Sequence, residues 1–208
     1  MKLPLKSALI ALCFACALIS CGPRRAASGW TAEETALICA PDSVMRVLTV
    51  DVLEDSLVLR DSCRAIDDDM LLSEEYPELC RKMVATVTSP EQDGVGIAGP
   101  QVGISRRIVA VMRYDREGMP FEVYPNVRVT AVRGEREYGP EGCLSIPGRR
   151  GDVLRWRDID VTYSRICRPA GSDAPVVKDT TESVTGYTAI IFQHECDHLD
   201  GVLYTDLL

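Results

Sequence analysis

Apolar side chains recur at helical spacing in the first half of this 208-residue chain. Between residues 70 and 87 they lie three and four positions apart, at Leu72, Tyr76, Leu79, Met83 and Val87. This spacing predicts an amphipathic helix, with Pro77 in its first turn or just before it.

A second helix is predicted near the end of the chain, over residues 185–199. Tyr187, Ile190, Ile191 and His194 share one face of this helix. Gly201 is a plausible stop signal, because glycine is common just after the last helical residue.

The middle of the chain has the pattern of strands. Three segments are rich in β-branched and aromatic residues with partial alternation: 106–114, 119–132 and 153–166. Turns are predicted at 117–118 and 147–148, and a hairpin loop at 170–175. The stretch 89–103 is rich in glycine and proline, which predicts a loop or tight strand ends. Strands followed by a buried C-terminal helix indicate an α+β domain.

The first 20 residues differ from the rest. Lys2 and Lys6 precede an apolar run over residues 8–19, too short to span a membrane comfortably, and Leu18-Ile19-Ser20-Cys21 resembles a bacterial lipobox. This pattern is typical of a lipoprotein signal peptide, with a plain signal peptide or an uncleaved leader as alternatives. We expect a signal peptide over 1–20, lipidation at Cys21, a tether or N-terminal extension over 21–42 and one domain over 43–208. The protein is then a membrane-anchored protein of the cell envelope, or cytoplasmic if the leader does not function.

Composition narrows the classes of partner. The net charge of −8 and the lack of long basic runs argue against a nucleic acid. Six cysteines follow Cys21: Cys39, Cys63, Cys80, Cys143, Cys167 and Cys196. In an exported protein an even set favours disulfides, and we expect at most one or two, whose pairing the sequence does not determine.

The only two histidines are His194 and His198. Four residues apart on a helix, they lie on one face and can hold one metal ion, with Glu195 beside a metal-bound water. Two surface histidines at a helix end are the alternative, but Ile190 and Ile191 just before them predict burial.

Two known classes of metal site take their third protein ligand from downstream of the two histidines, but the ten residues after His198 do not supply one. A thermolysin-like peptidase takes a glutamate from a later helix, and none is predicted there. A metzincin takes a histidine where this chain has Tyr204, although Gly201 matches that pattern. The third ligand is expected upstream, where such sites use thiolate, imidazole or carboxylate donors. Composition alone favours a buried residue, a disulfide partner or an inert thiol for Cys143.

Three motifs resemble, in the same order and at similar spacing, the signature motifs of the peptide deformylase family: "GVGIAGPQVG" (94–103), "EGCLS" (141–145) and "QHECDH" (193–198). The preceding "LVLRDSCRAI" resembles the N-terminal strand segment of the family, so the resemblance covers residues 56–208. It implies antiparallel sheets packed around a C-terminal helix that carries the HExxH metal motif, and makes 43–208 a catalytic domain.

The resemblance also implies a reaction and a set of site residues. A metal-bound water attacks the formyl carbon of an N-formyl-methionyl peptide, and the formyl group is removed. Glu195 is the implied acid and base, while the Gln101 side chain and the Leu144 N–H stabilise the oxyanion. The implied metal ligands are Cys143, His194 and His198, and the ion is usually Fe²⁺, with Zn²⁺ or Ni²⁺ as alternatives.

Seven residues are expected at the substrate: Val95, Gly96, Gly142, Arg150, Tyr187, Ile190 and Ile191. By the resemblance, Gly96 belongs to a strand that pairs with the peptide backbone. The apolar members are candidates for a methionine pocket, although core packing explains each of them equally well. Arg150 is near the peptide or is a solvated charge. We expect a monomer.

The chain departs from the family pattern at several points. Gly99 replaces an alanine, which is expected to loosen the loop that positions Gln101. Tyr187 is bulkier than the usual aliphatic residue. The leader would place the enzyme in the envelope, where the substrates are exported or imported formyl peptides and oxidation favours zinc or a protected iron site. An envelope metallo-amidase or peptidase with an altered substrate, and a non-catalytic metal-binding envelope protein, are the alternatives.

Overall fold

The computed structural model describes residues 29–172 and 174–208. Its helices are α1 (Ala32–Ile38), α2 (Leu53–Leu59), α3 (Asp68–Leu71), α4 (Glu75–Val87) and α5 (Gly186–Leu199), with 3₁₀ turns at Gly99–Val102 and Tyr204–Asp206. Its strands are β1 (Gly96–Ala98), β2 (Ile108–Met112), β3 (Phe121–Pro125), β4 (Arg128–Cys143), β5 (Ile146–Cys167) and β6 (Val176–Thr185). The predicted signal peptide over 1–20 and Cys21 lie outside the described residues.

Two three-stranded antiparallel sheets, β1–β2–β3 and β4–β5–β6, form the β part of the fold. Phe192 of α5 shares one apolar core with Val109 of the first sheet and with Ile159 and Val184 of the second. The C-terminal helix therefore packs against both sheets, which confirms the predicted α+β class.

Local signals define α5 at both ends. Thr185 is its N-cap, and the chain turns away at Gly201, whose φ of +73° is the left-handed conformation common after a helix. A Cβ at Gly201 would also overlap the carbonyl of Arg60. The helix predicted over 185–199 is confirmed to within one residue.

A second apolar core lies on the other face of β2. Alternate residues of this strand point to opposite sides, so Ile108 and Ala110 pack with Met83 and Val87 of α4. The helix predicted over 70–87 is correct from Glu75 onward, with Pro77 in the first turn.

Two strand predictions were wrong in detail. The segment 119–132 is two strands, β3 and β4, separated by Asn126 with φ +57°. The turn predicted at 147–148 lies inside β5, because β4 and β5 pair until Cys143 faces Ile146 and turn between them. The long antiparallel ladder outweighs the local Pro-Gly signal, and Gly148 keeps its φ of +73° within the strand.

The part of the predicted tether that the structure describes is a packed extension. Ile38 of α1 is completely buried in the core formed with α4, and Met45 is buried beside it. Helix α1 therefore belongs to the folded body, because Ile38 completes its core.

All six described cysteines are free thiols. Over residues 29–172 and 174–208, no helix combines the length and the apolar character needed to cross a membrane.

Candidate active site

Three ligand-type side chains converge between α5 and the end of β4. The donor atoms of Cys143, His194 and His198 lie within 4.8 Å of one another, and Cys143 Sγ is 3.2 Å from His198 Nε2. One thiolate and two imidazoles are a donor set that suits zinc or iron. The residues predicted as ligands therefore fit one metal ion.

The β4–β5 hairpin carries Cys143 to the helix. Its register slips between Gly142 and Cys143, and the chain turns through Leu144 and Ser145 before β5 begins. The N–H of Val50 donates to the carbonyl of Ser145 (3.0 Å), which holds the turn from outside. Packing of the hairpin thus positions the sulfur, which is 51 residues from His194 in sequence.

Glu141 lies behind His194, in a role that was not predicted from the sequence. Its Oε2 lies 2.9 Å from His194 Nδ1, and Arg155 donates to both of its oxygens (2.8 and 3.1 Å). Burial raises the pKa of Glu141, but the hydrogen bonds from His194 and Arg155 outweigh this and lower it. A carboxylate behind the ring keeps the proton on Nδ1 and leaves Nε2 for a metal ion. The acidic residue two positions before Cys143 was the only sequence signal.

The two histidines differ electrostatically. Burial lowers the pKa of His198, which keeps its ring neutral. Burial also disfavours a proton on His194, but contacts with Cys143 and Glu141 outweigh it and raise the pKa of His194 to about 10. Acid and a metal ion therefore compete for His194.

Tyr204, the residue at the third-ligand position of a metzincin, packs beside the site. Its ring stacks on His194 with centroids 6.1 Å apart, and only 2 % of the residue is exposed. It supports the His194 ring from the side.

Glu195 faces the cleft from the helix turn that carries His194. It is 4 % exposed, its Oε2 has no hydrogen-bond partner, and burial raises its pKa to about 7. Gly96 of β1 makes room for it, since a Cβ there would overlap Glu195 Oε1 and lie 2.8 Å from Ile191. A buried carboxyl group that titrates near neutrality is suited to accept and return a proton.

Gln101 presents an amide donor to the cleft that Glu195 faces. Its Oε1 accepts from the N–H of Ala98 (2.8 Å), so its Nε2 points toward Ser145 Oγ (3.2 Å) and Cys143 Sγ (3.6 Å). The loosening of this loop expected from Gly99 is wrong, because the loop is tightly packed there. A Cβ there would lie 2.6 Å from the carbonyl oxygen of Ile104.

The cleft in front of these groups has a volume of about 370 Å³. It is lined by Gln101, Cys143, Leu144, His194 and Glu195, and by every predicted substrate residue: Val95, Gly96, Gly142, Arg150, Tyr187, Ile190 and Ile191. His198 lies beneath it, 1 % exposed. Ile190 and Ile191 are 8 % and 3 % exposed and form an apolar wall, whereas Tyr187 is 45 % exposed and packs on Tyr114 at the rim.

The chain is similar to known proteins along most of its length. The family model for polypeptide deformylases matches residues 47–208. A peptide deformylase of Leptospira biflexa is 32 % identical over 165 residues, which cover 73 % of this chain and 82 % of that protein. The crystal structure of the Thermotoga maritima peptide deformylase superposes with a TM-score of 0.64 at 30 % identity, covering 79 % of this chain and 97 % of that one.

A second solved structure, the Acinetobacter baumannii enzyme bound to Met-Ala-Ser, has a TM-score of 0.64 at 33 % identity and covers 79 % of this chain and 98 % of its own. Two independent kinds of similarity, in sequence and in fold, thus agree with the three motifs and with the geometry of the site. The chain belongs to the peptide deformylase family, metal-dependent hydrolases that remove the formyl group from N-formyl peptides.

Proposed function

We propose that this enzyme deformylates N-formyl-methionyl peptides at a metal centre formed by Cys143, His194 and His198, with Glu195 as the proton carrier. The observation that carries the proposal is that the three ligand atoms lie within 4.8 Å of one another beside the unpaired oxygen of Glu195. A divalent ion bound there would polarise the formyl oxygen and lower the pKa of a coordinated water.

Glu195 takes the proton of the attacking water and delivers it to the departing amine. Its pKa of about 7 supports this role, since a group that is half ionised near neutral pH accepts and donates with little cost. Its burial also excludes bulk water from the proton transfer.

The oxyanion is stabilised by the Gln101 amide and the N–H of Leu144. The Ala98 N–H orients the Gln101 amide so that the donor, and not the carbonyl, points at the cleft. Leu144 directly follows Cys143 in the hairpin turn and lines the same cleft. Donors held in place before the reaction stabilise developing charge without reorganisation.

The peptide lies along β1, with Gly96 as the point of closest approach. Strand addition to β1 would place the methionine side chain against Val95, Ile190 and Ile191. Gly142 and Arg150 face the peptide from the opposite hairpin, and Tyr187 lies where it leaves the cleft.

A turnover experiment tests this function. The metal-loaded enzyme is expected to hydrolyse formyl-Met-Ala-Ser and not the acetylated peptide, and Glu195→Ala should be inactive while still binding the metal. Metal binding without turnover of the formyl peptide would refute the proposal. Turnover of other amides would then support an amidase or peptidase with an altered substrate.

The resident metal is proposed to be Fe²⁺, with Zn²⁺ as the alternative in an oxidising compartment. The thiolate and two imidazoles accept either ion. Elemental analysis of protein purified without oxygen, followed by activity after reconstitution with each ion, decides between them.

The enzyme is proposed to lie in the cell envelope, where a lipid on Cys21 is its only attachment to the membrane. It is also proposed to be a monomer. The support is the charged start, the apolar run and the lipobox-like Leu18-Ile19-Ser20-Cys21. Substrates would then be formyl peptides outside the cytoplasm. Mass analysis of the mature N-terminus with fractionation tests this, and an unlipidated cytosolic protein would refute it.

A further inference from the structure

Residues 29–46 precede the family-matched segment 47–208 and pack on the loop that carries Gln101. α1 begins with a capping box, in which Thr31 Oγ1 accepts from the N–H of Glu34 (3.1 Å) and the Glu34 carboxylate accepts from the N–H of Thr31 (2.8 Å). The extension therefore forms a defined helix with its own N-terminal capping box.

A buried ion pair joins this extension to the loop after Gln101. Arg106 Nε and Nη2 donate to the two oxygens of Glu34 (2.7 and 2.9 Å), and both residues are 5 % exposed. Arg106 also donates to the carbonyl of Gly29 (3.1 Å) and lies over the Trp30 ring, 5.9 Å from its centroid. Bidentate geometry restricts where the Arg106 backbone can lie.

The backbone around Arg106 presses in turn on the 3₁₀ turn Gly99–Val102. The carbonyl oxygens of Ile104 and Arg106 lie 2.6 and 2.7 Å from the place of a Cβ on Gly99, and the N–H of Ile104 donates to the Gly99 carbonyl (2.9 Å). The start of the turn is therefore packed closely against the backbone of residues 104–106. The loop can therefore transmit the position of Arg106 to Gly99.

The other side of the turn is held by the segment that follows the extension. The N–H of Leu48 donates to the carbonyl of Gln101 (2.8 Å), and Leu37 of α1 lies 3.2 Å from the place of a Cβ on Gly103. Gln101 is thus held through its backbone carbonyl by Leu48 and through its side chain by Ala98.

We propose that Glu34 and Arg106 are positioning residues for the reaction: the ion pair holds the turn Gly99–Val102 so that the Gln101 amide meets the oxyanion. The proposal rests on the oxyanion role proposed for Gln101. A donor that serves the transition state affects kcat more than KM, so loosening it lowers turnover while leaving peptide binding intact.

The test is a double-mutant cycle on the metal-loaded full chain with formyl-Met-Ala-Ser. Glu34→Gln keeps the shape and removes the charge, and is expected to lower kcat about tenfold with KM unchanged. In a Gln101→Ala background the same substitution should change kcat by about twofold or less, because the residue through which it acts is gone. Glu182→Gln removes the charge of another partly buried carboxylate, which pairs with Arg113 Nη1 (2.6 Å) outside the cleft, and as the matched control it should leave kcat unchanged.

Each result decides between positioning and mere structural support. An equal loss in both backgrounds, a rise in KM, no loss at all, or an equal loss in the Glu182→Gln control would overturn the proposal. If Glu34→Gln does not fold, Arg106→Lys, which keeps the charge but loses the bidentate geometry, replaces it in the cycle with the same expectation. A Gln101→Ala enzyme as active as the unchanged chain would refute the proposed role of Gln101 itself, and hydrolysis by the unchanged chain tests the deformylase function separately.

Discussion

Replacing Glu195 with glutamine should stabilise the fold while removing the activity. The carboxyl group is 4 % exposed, and burial raises its pKa from 4.5 to about 7. Glutamine has nearly the same shape but no charge, so Glu195→Gln removes the cost of burying a carboxylate.

The pKa shift sets the magnitude. The pKa of Glu195 rises from 4.5 to about 7 on folding, and each pKa unit corresponds to about 1.36 kcal/mol. Burying the ionised carboxylate therefore lowers the free energy of unfolding by about 3 kcal/mol. The sign follows from the protonation states. Below pH 4.5 the group is neutral in both the folded and the unfolded chain, and no penalty exists. As the pH rises from 4.5 to about 7, the carboxyl group ionises in the unfolded chain but not yet in the folded one. The free energy of unfolding therefore falls over this range and stays lower above it.

Urea unfolding in excess chelator measures the effect, because bound metal would add its own stabilisation. We expect the free energy of unfolding of Glu195→Gln to exceed that of the unchanged chain by about 3 kcal/mol at pH 8 and to equal it near pH 4. Glu117→Gln, at an exposed turn, is the matched control and should change nothing at either pH. Activity of the metal-loaded Glu195→Gln enzyme should fall by about 10²–10⁴-fold. Equal stability at pH 8, or a gain that persists at pH 4, would refute the reasoning.

Three further substitutions test other parts of the site. Glu141→Gln should weaken metal binding by roughly 10–100-fold, measured by competition with a chelator, because the carboxylate that orients His194 is lost; unchanged affinity would contradict this. Gly96→Ala should lower kcat/KM by about 10²-fold with metal content unchanged, since the new methyl group overlaps Glu195 and Ile191. Tyr187→Leu should lower kcat/KM by up to about tenfold for formyl tripeptides, by loss of an aromatic contact at the rim. Formyl-Met-Ala serves as the comparison for Tyr187→Leu, and an equal loss for this dipeptide would place Tyr187 in the methionine pocket instead.

The positions of the secondary-structure elements were predictable where the signal was local. The α5 helix extends over the residues that its periodicity and its glycine stop indicated, and α4 follows its apolar stripe. The β4–β5 hairpin was not predictable in register, because a ladder of paired residues outweighs a Pro-Gly turn signal. The two short helices before residue 60 went unpredicted, since seven residues each are too few for a clear periodic pattern.

The sequence by itself determined the two histidines as a pair, because a spacing of four on a helix is set by the helix geometry alone. It also determined the family, through three motifs in order. Only the tertiary structure decided what surrounds them: Cys143 reaches the histidines by hairpin pairing, Glu141 and Arg155 meet behind His194, and Glu34 reaches Arg106 across 72 residues. Contacts between residues far apart in sequence depend on how the elements pack, and no local pattern records that packing.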